Sequence, residues 1–206
     1  PTSNIMDYYK MEDHFTTVSI RNASSQDAEE IVDILNNSFD PNDEQRILGT
    51  NATISLVKLL IKQHDTLFFI AEEQNDIVGY IWGQTKKLSL LKSLFNTPLL
   101  LLKFCFSCIA HNKLISILKY ILKQKQGIYR SIPLPHLVSF GVKSTYKSAG
   151  FLLLSKAEKY LKSKNKNKCF LLTAANNKTT QYFYKKNGYK KYKSNDLSVI
   201  LCKELS

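Results

Sequence analysis

The sequence predicts an α/β protein built on one mixed central sheet. Short apolar runs of strand length recur along the chain, and segments with helical apolar spacing separate them. The order is strand, helix, helix, two strands, helical insert, strand, helix, strand, helix, two strands, with no internal repeat. At 206 residues, 44% hydrophobic and 22% charged, the chain has material for one proper core and little for linkers. The reading is a single domain over 1–206, with an N-terminal extension over 1–15 and a helical insertion over 88–130, between the third and fourth strands.

The first strand is Thr17–Asn22, where apolar and polar residues alternate. Ser24 and Asp27, three apart, form a variant of the capping box. Ile31, Ile34, Leu35, Ser38 and Phe39 then fall on one helical face. Asp40-Pro41-Asn42-Asp43 ends that helix. A second helix spans roughly 53–63, with Ile54, Val57, Leu60 and Ile61 aligned. Leu67–Ala71 and Ile77–Trp82 flank the polar turn Gln74-Asn75-Asp76 and predict a hairpin.

The insertion is rich in Leu and Lys over 88–126, and Thr97-Pro98 marks a helix start. It reads as two or three amphipathic helices covering the acceptor side of a cleft. Its longest uncharged stretches, Ser93–Leu102 and Phe104–Asn112, are about half of what a membrane span needs. No integral membrane segment is therefore expected. His136–Val142 is the next strand and Tyr146–Lys164 a long helix, with Phe151, Leu154, Ala157 and Leu161 in line. Cys169–Thr173 is a buried strand and Asn177–Asn187 a short helix stopped by Gly188. Tyr189–Tyr192 and Leu197–Leu201 close the sheet.

Charge divides the chain. Residues 1–76 hold five basic and fourteen acidic residues, a balance of −9, whereas 77–206 hold twenty-four basic and three acidic, a balance of +21. A basic half of this size suits a phosphate-bearing partner, although solvated lysine faces would look the same. Four cysteines without framework spacing read as reduced thiols of a cytoplasmic protein. Pro1–Phe15 carries Asp7, Glu12 and Asp13 and no apolar segment, so it does not read as a secretion signal. Cys105, Cys108 and His111 lie inside an apolar helical stretch with no second ligand pair, so they read as small core residues and no metal is expected.

Two segments could carry chemistry. At Val142–Leu152 a strand gives way to a helix that opens with Lys147, Ser148, Ala149 and Gly150. Helix starts present unpaired N–H groups, and small residues let a phosphate reach them. A plain strand-to-helix junction would read alike. At Asn177–Tyr189 an Asn opens a helix and a Phe183-Tyr184 pair sits near its end, followed by Gly188 and Tyr189. A capped helix accounts for Asn177 and Gly188, but not for a tyrosine at 184.

Together these segments resemble the GNAT superfamily of acyl-CoA-dependent N-acetyltransferases. The order of elements from about Thr17 to Leu201 is similar to the family's, and Val78-Gly79-Tyr80 resembles its hairpin. The family's phosphate loop is a basic or Gln residue, two others, Gly, one residue, then Gly or Ala. Here it is Lys147-Ser148-Ala149-Gly150-Phe151-Leu152, with Lys for the usual Arg, Ser148 where Gly is frequent, and Leu152 where Gly or Ala is expected. The family's later pattern of Asn, small residue, Tyr, Gly and aromatic matches Asn177, Thr180, Tyr184, Gly188 and Tyr189.

The resemblance implies a GNAT-like sheet flanked by helices, acetyl-CoA as co-substrate, and acetyl transfer to an amine without a metal. It implies cofactor contacts at Phe140, Val142, Lys147, Ser148, Ala149, Gly150, Phe151, Leu152 and Asn177. Tyr184 would protonate the leaving thiolate. The base stays open among Glu72, Glu73, His136, acidic residues of the first helix (Glu29, Glu30, Asp33), Asp43 or Glu44 after it, and water. The acceptor reads as a small-molecule amine, with a weak lean to a nucleotide-linked amino sugar because a helical insert enlarges a pocket. The alternatives are a non-catalytic CoA- or ligand-binding protein that keeps the fold, and a nucleic-acid binder using the lysine-rich surface. The second lacks a binding motif, so no nucleic-acid partner is expected.

Overall fold

The computed structural model describes residues 18–38, 50–87, 128 and 131–205. The expected helical insertion, the cysteine pair within it, and Asp43 and Glu44 lie outside the described residues. Among those described, β1 (Ser19–Asn22), α1 (Ala28–Ser38), α2 (Thr50–Ile61), β2 (Thr66–Glu73), β3 (Asp76–Gln84) and β4 (His136–Val142) come first. They are followed by α3 (Lys147–Ser163), β5 (Lys168–Ala174), α4 (Lys178–Lys186), β6 (Lys190–Ser194) and β7 (Ser198–Glu204). The second helix begins three residues earlier than its apolar face suggested. The sixth strand begins one residue later, after Tyr189.

The strands form one seven-stranded sheet in the order β1-β2-β3-β4-β5-β7-β6. The β4–β5 pair is parallel and the other pairs are antiparallel, so the mixed sheet is as expected.

Each face carries its own core. Period-two alternation in β2 sends Leu67, Phe69 and Ala71 to one side and Phe68 and Ile70 to the other. The first set meets Leu153, Leu154, Ala157 and Leu161, the inward stripe of α3. The second meets Ile31, Ile34 and Leu35 of α1 with Val57 and Leu60 of α2. A strand buried on both faces reads as a continuous apolar run, which is what Leu67–Ala71 shows. A third, smaller cluster joins Phe170 and Ile200 to Ile128.

The start of α1 is fixed as the sequence predicts. The Asp27 carboxylate accepts the Ser24 N–H at 2.6 Å, and the Ser24 hydroxyl accepts the Gln26 N–H at 3.3 Å. Arg21 grips Asp27 with two nitrogens, at 2.8 and 2.9 Å, and reaches Glu72 as well. This ties β1, the helix start and β2 together. The paired guanidinium holds the Asp27 carboxyl below its ordinary range.

Candidate active site

The sheet opens in its middle. β4 and β5 pair only at His136–Phe170 and Leu137–Leu171 and then part, leaving a wedge between their C-terminal halves. The cause is visible in the register of β3 on β4. Trp82 lies opposite Ser139 and Gly83 opposite Leu137, so Val138 has no opposite number. A one-residue bulge of this kind bends a strand and steepens its twist. It falls where β4 leaves β5.

The register of β4 on β3 beyond the bulge determines what lines the wedge. The Lys143 N–H donates to the Val78 carbonyl at 2.8 Å. Along an antiparallel ladder the amide groups alternate between the two sides. Gly141 and Ser139 therefore bond toward β3, and the N–H and C=O of Phe140 and Val142 face the wedge. These are the two β4 positions that the family resemblance selects.

Both helices that follow the parted strands begin at the open end. At α3, Tyr146 is the N-cap residue and no side chain caps the helix. The Tyr146 N–H is used by the Lys143 carbonyl at 2.9 Å, and the Ala149 N–H by the Tyr146 carbonyl at 3.0 Å. That leaves the N–H groups of Lys147 and Ser148 as the first-turn donors, at the positive end of the helix dipole. Ser148 is exposed there, whereas Ala149 and Gly150 are buried. Phe151 and Leu152 point outward, 57% and 38% exposed. Gly150 answers to packing as well as to any ligand. A Cβ on it would stand 3.2 Å from the Phe140 ring and 3.7 Å from Val142, so glycine lets α3 lie close on β4.

At α4, the Asn177 carboxamide oxygen accepts the Thr180 N–H at 3.0 Å and caps its own helix. The far end is a Schellman stop. Gly188 takes φ +86°, its N–H donates to Lys185, and the Tyr189 N–H donates to Tyr184. Tyr184 and Tyr189 make the apolar contact of that motif, with ring centroids 5.4 Å apart. Tyr184 is buried, 5.2 Å from the Phe183 ring and 6.4 Å from Phe140 on the wedge strand. Phe183 stacks on Phe140 at 5.9 Å. The aromatic pair of α4 thus reaches across the wedge to β4. Burial raises the Tyr184 phenol above its ordinary pKa, so it is protonated at neutral pH.

The candidate bases are scattered. Glu72 is engaged by Arg21. Glu73 is buried on the α3 side and faces the Tyr146 hydroxyl, whose pKa it raises, so it lies by the helix start. Glu30 accepts the Ile77 N–H at 3.4 Å, while Glu29 and Asp33 are exposed on α1. His136 sits at the closed end, where β4 and β5 still pair. Burial holds its imidazole at about 4, so it is neutral at pH 7. Among the described residues, no group of three or more His, Cys, Asp or Glu side chains could hold a metal ion. No helix there is long and apolar enough to cross a membrane.

Sequence reasoning missed the bulge at Val138, because no residue type announces one. It also missed the polar cluster of Glu158, Cys169, Tyr189 and Lys203, whose members lie far apart in sequence.

Known proteins share this fold. The fold is similar to that of PaiA N-acetyltransferase from Thermoplasma acidophilum in complex with coenzyme A, with a TM-score of 0.60 at 20% identity over 91% of this chain and 99% of that one. It is similar to an aminoglycoside 6'-acetyltransferase type Ii, TM-score 0.58 at 14% identity over 91% and 97% of the two chains. It is also similar to the ribosomal-protein-S18-alanine N-acetyltransferase of Escherichia coli, TM-score 0.55 at 10% identity over 92% and 94%. At such identities the likeness shows the fold alone, and no curated protein matches the chain in sequence. The sequence profile of the acetyltransferase (GNAT) family matches residues 28–189, which run from α1 through the wedge and both flanking helices to Tyr189. By that match the chain belongs to the acetyltransferase (GNAT) family.

Proposed function

We propose that the chain transfers an acetyl group from acetyl-CoA to the amine of a small molecule. The observation that carries this reading is the wedge: outward amides on β4, an uncapped helix start at its mouth, and a protonated phenol across it. A pyrophosphate needs N–H donors and positive potential, which the first turn of α3 supplies. A thioester arm needs backbone partners, which Phe140 and Val142 offer. The residues present therefore fit CoA. Acetyl-CoA supplies the activated acyl group.

The protein's own part is to hold and protonate. Lys147, Ser148, Ala149 and Gly150, at the turn leading to Phe151 and Leu152, would seat the phosphates. The Phe140 amide would hold the thioester carbonyl, where an N–H donor favours developing negative charge. Asn177 would steady the pantetheine arm. Tyr184 would give its proton to the departing sulfur. A buried phenol yields its proton less readily than a free one, so the acid must be close to the sulfur to be useful. For the base we favour water relayed from solvent, because Glu72 is ion-paired, Glu73 lies by the helix start and His136 lies at the closed end.

We read the acceptor as an amino sugar carried on a nucleotide, since the basic remainder of the chain suits an anionic carrier. The free thiols of Cys169 and Cys202 support a cytoplasmic setting. Free-thiol release from acetyl-CoA, followed over a panel of nucleotide-linked amino sugars, aminoglycosides, polyamines and peptides, tests the reading. Amine-dependent thiol release is expected. CoA binding without thiol release for any amine would favour the non-catalytic alternative.

A further inference from the structure

Tyr80 of β3 takes no part in acetyl transfer as described, yet it lies against the strand that lines the wedge. Its side chain is fully buried, in the core that α1 and α2 cover. Its backbone stands opposite Gly141 on β4, and Ser139 stands opposite Trp82. The ring lies over Gly141: a Cβ there would come within 2.9 Å of the Tyr80 ring and 3.3 Å of Ile34. The ring therefore takes the place of the side chain that Gly141 lacks. Its hydroxyl runs on to Ser139, where the two hydroxyls are hydrogen-bonded at 2.8 Å in a buried position. The tyrosine thus straps β4 from Gly141 to Ser139.

The residue between is Phe140. Its ring lies on the other face, against Phe183 and Tyr184, and its N–H and C=O face the wedge. Beyond Leu137, β4 keeps its ladder to β3 and has none to β5. The stretch also follows the bulge. Leu137 and Ser139 are two apart and would share a face in a regular strand. Here Leu137 joins the core under α3, and Ser139 meets Tyr80 on the opposite face. A strand paired on one side only, beside an irregularity, is weakly held in register by its backbone alone. Packing by itself does not call for the hydroxyl pair, since replacing both partners of a buried hydrogen bond by apolar groups of like shape is nearly neutral for stability. What the pair adds is direction. Resting on the reading of this wedge as the acetyl-transfer site, we infer that Tyr80 is a positioning residue. Through its ring on Gly141 and its bond to Ser139 it fixes the backbone on both sides of Phe140, and so keeps the Phe140 N–H aimed at the thioester carbonyl.

Tyr80→Phe, Ser139→Ala and the double variant test this on the full chain, with acetyl-CoA and the best amine of the panel. Each single change removes one hydroxyl and should lower kcat about tenfold, because a small displacement of a group that holds the reacting atoms is costly in rate. The double variant should show the same loss and not the product of the two. Its thermal midpoint should lie nearer the parent's than those of the single variants, because it leaves neither half of the pair behind. CoA affinity, measured by calorimetry, should be unchanged, since the phosphates rest on the first turn of α3. If Tyr80→Phe fails to fold, Ser139→Ala carries the test, and parental kcat in that variant overturns the inference. Losses confined to the thermal midpoint, or kcat losses that multiply in the double variant, would also overturn it. A parent protein that releases no thiol with any amine would overturn the acetyl-transfer reading and this inference with it. An active parent beside variants of parental kcat would overturn the positioning role alone.

Discussion

The two arms of the chain, residues 1–76 and residues 77–206, are built by the same rules and carry opposite charge. Residues 1–76, with their balance of −9, include β1, β2, α1 and α2; the remainder, at +21, includes β3 to β7, α3 and α4. The first arm spends its polar groups on its own fold: Arg21, Asp27, Ser24 and Glu72 bind one another. The second arm leaves polar groups unspent, at the first turn of α3 and along the inner edge of β4. Where backbone donors and acceptors are left unpaired by the fold, a ligand can pair them. The difference teaches where to look for function: in the arm whose hydrogen bonds do not close on themselves.

Four variants would break or sharpen that contrast, from the largest expected effect to the smallest. Tyr184→Phe keeps the ring and its contacts in the second arm and removes only the hydroxyl. Turnover should fall by about 10²–10⁴, the range for a lost general acid, with CoA affinity unchanged. Single-turnover rates, measured where chemistry is limiting, check it.

His136 tests the closed end of the wedge, within the second arm. Its pKa falls from 6.5 to about 4 on folding, so the unfolded chain binds the extra proton between those values. Stability from this source is full above pH 6.5 and is lost as pH falls toward 4, by about 3 kcal/mol in all. His136→Gln should flatten the fall in urea midpoint across that window. A slope equal to that of the parent protein would show that other groups govern it.

Ser148→Glu separates stability from binding within the second arm. A carboxylate in the first turn favours the helix by about 0.3–1 kcal/mol, yet it repels a pyrophosphate at the same place. Calorimetry should show CoA binding weakened about tenfold or more, with a thermal midpoint equal or higher. CoA affinity that survives this change would remove the phosphates from α3.

Asp27→Ala is the counterpart in the first arm. It removes a cap and the partner of Arg21, at about 1–2 kcal/mol of stability. CoA affinity should not move, because the group lies in the network that closes on itself. If affinity falls as stability does, the two arms are not independent.

The sequence by itself determined the elements and their faces. Leu67–Ala71 must be central because it is apolar at every position. The Ser24–Asp27 cap and the Gly188 stop were legible because their chemistry is local, within a few residues of backbone. The segments around Lys147 and Asn177 were legible because each needs only a helix start. What the tertiary structure alone decided is how these meet. Val138 is an ordinary strand residue until β3 pairs on either side of it. Only then does the register send the amides of Phe140 and Val142 away from β3, with the bulge falling where β4 parts from β5. Glu158 and Lys203 are 45 residues apart, and nothing in their local sequence marks them as a pair. Register and burial are sums over the whole fold, so a strand's outward groups and a buried ion pair appear only once the chain has closed on itself.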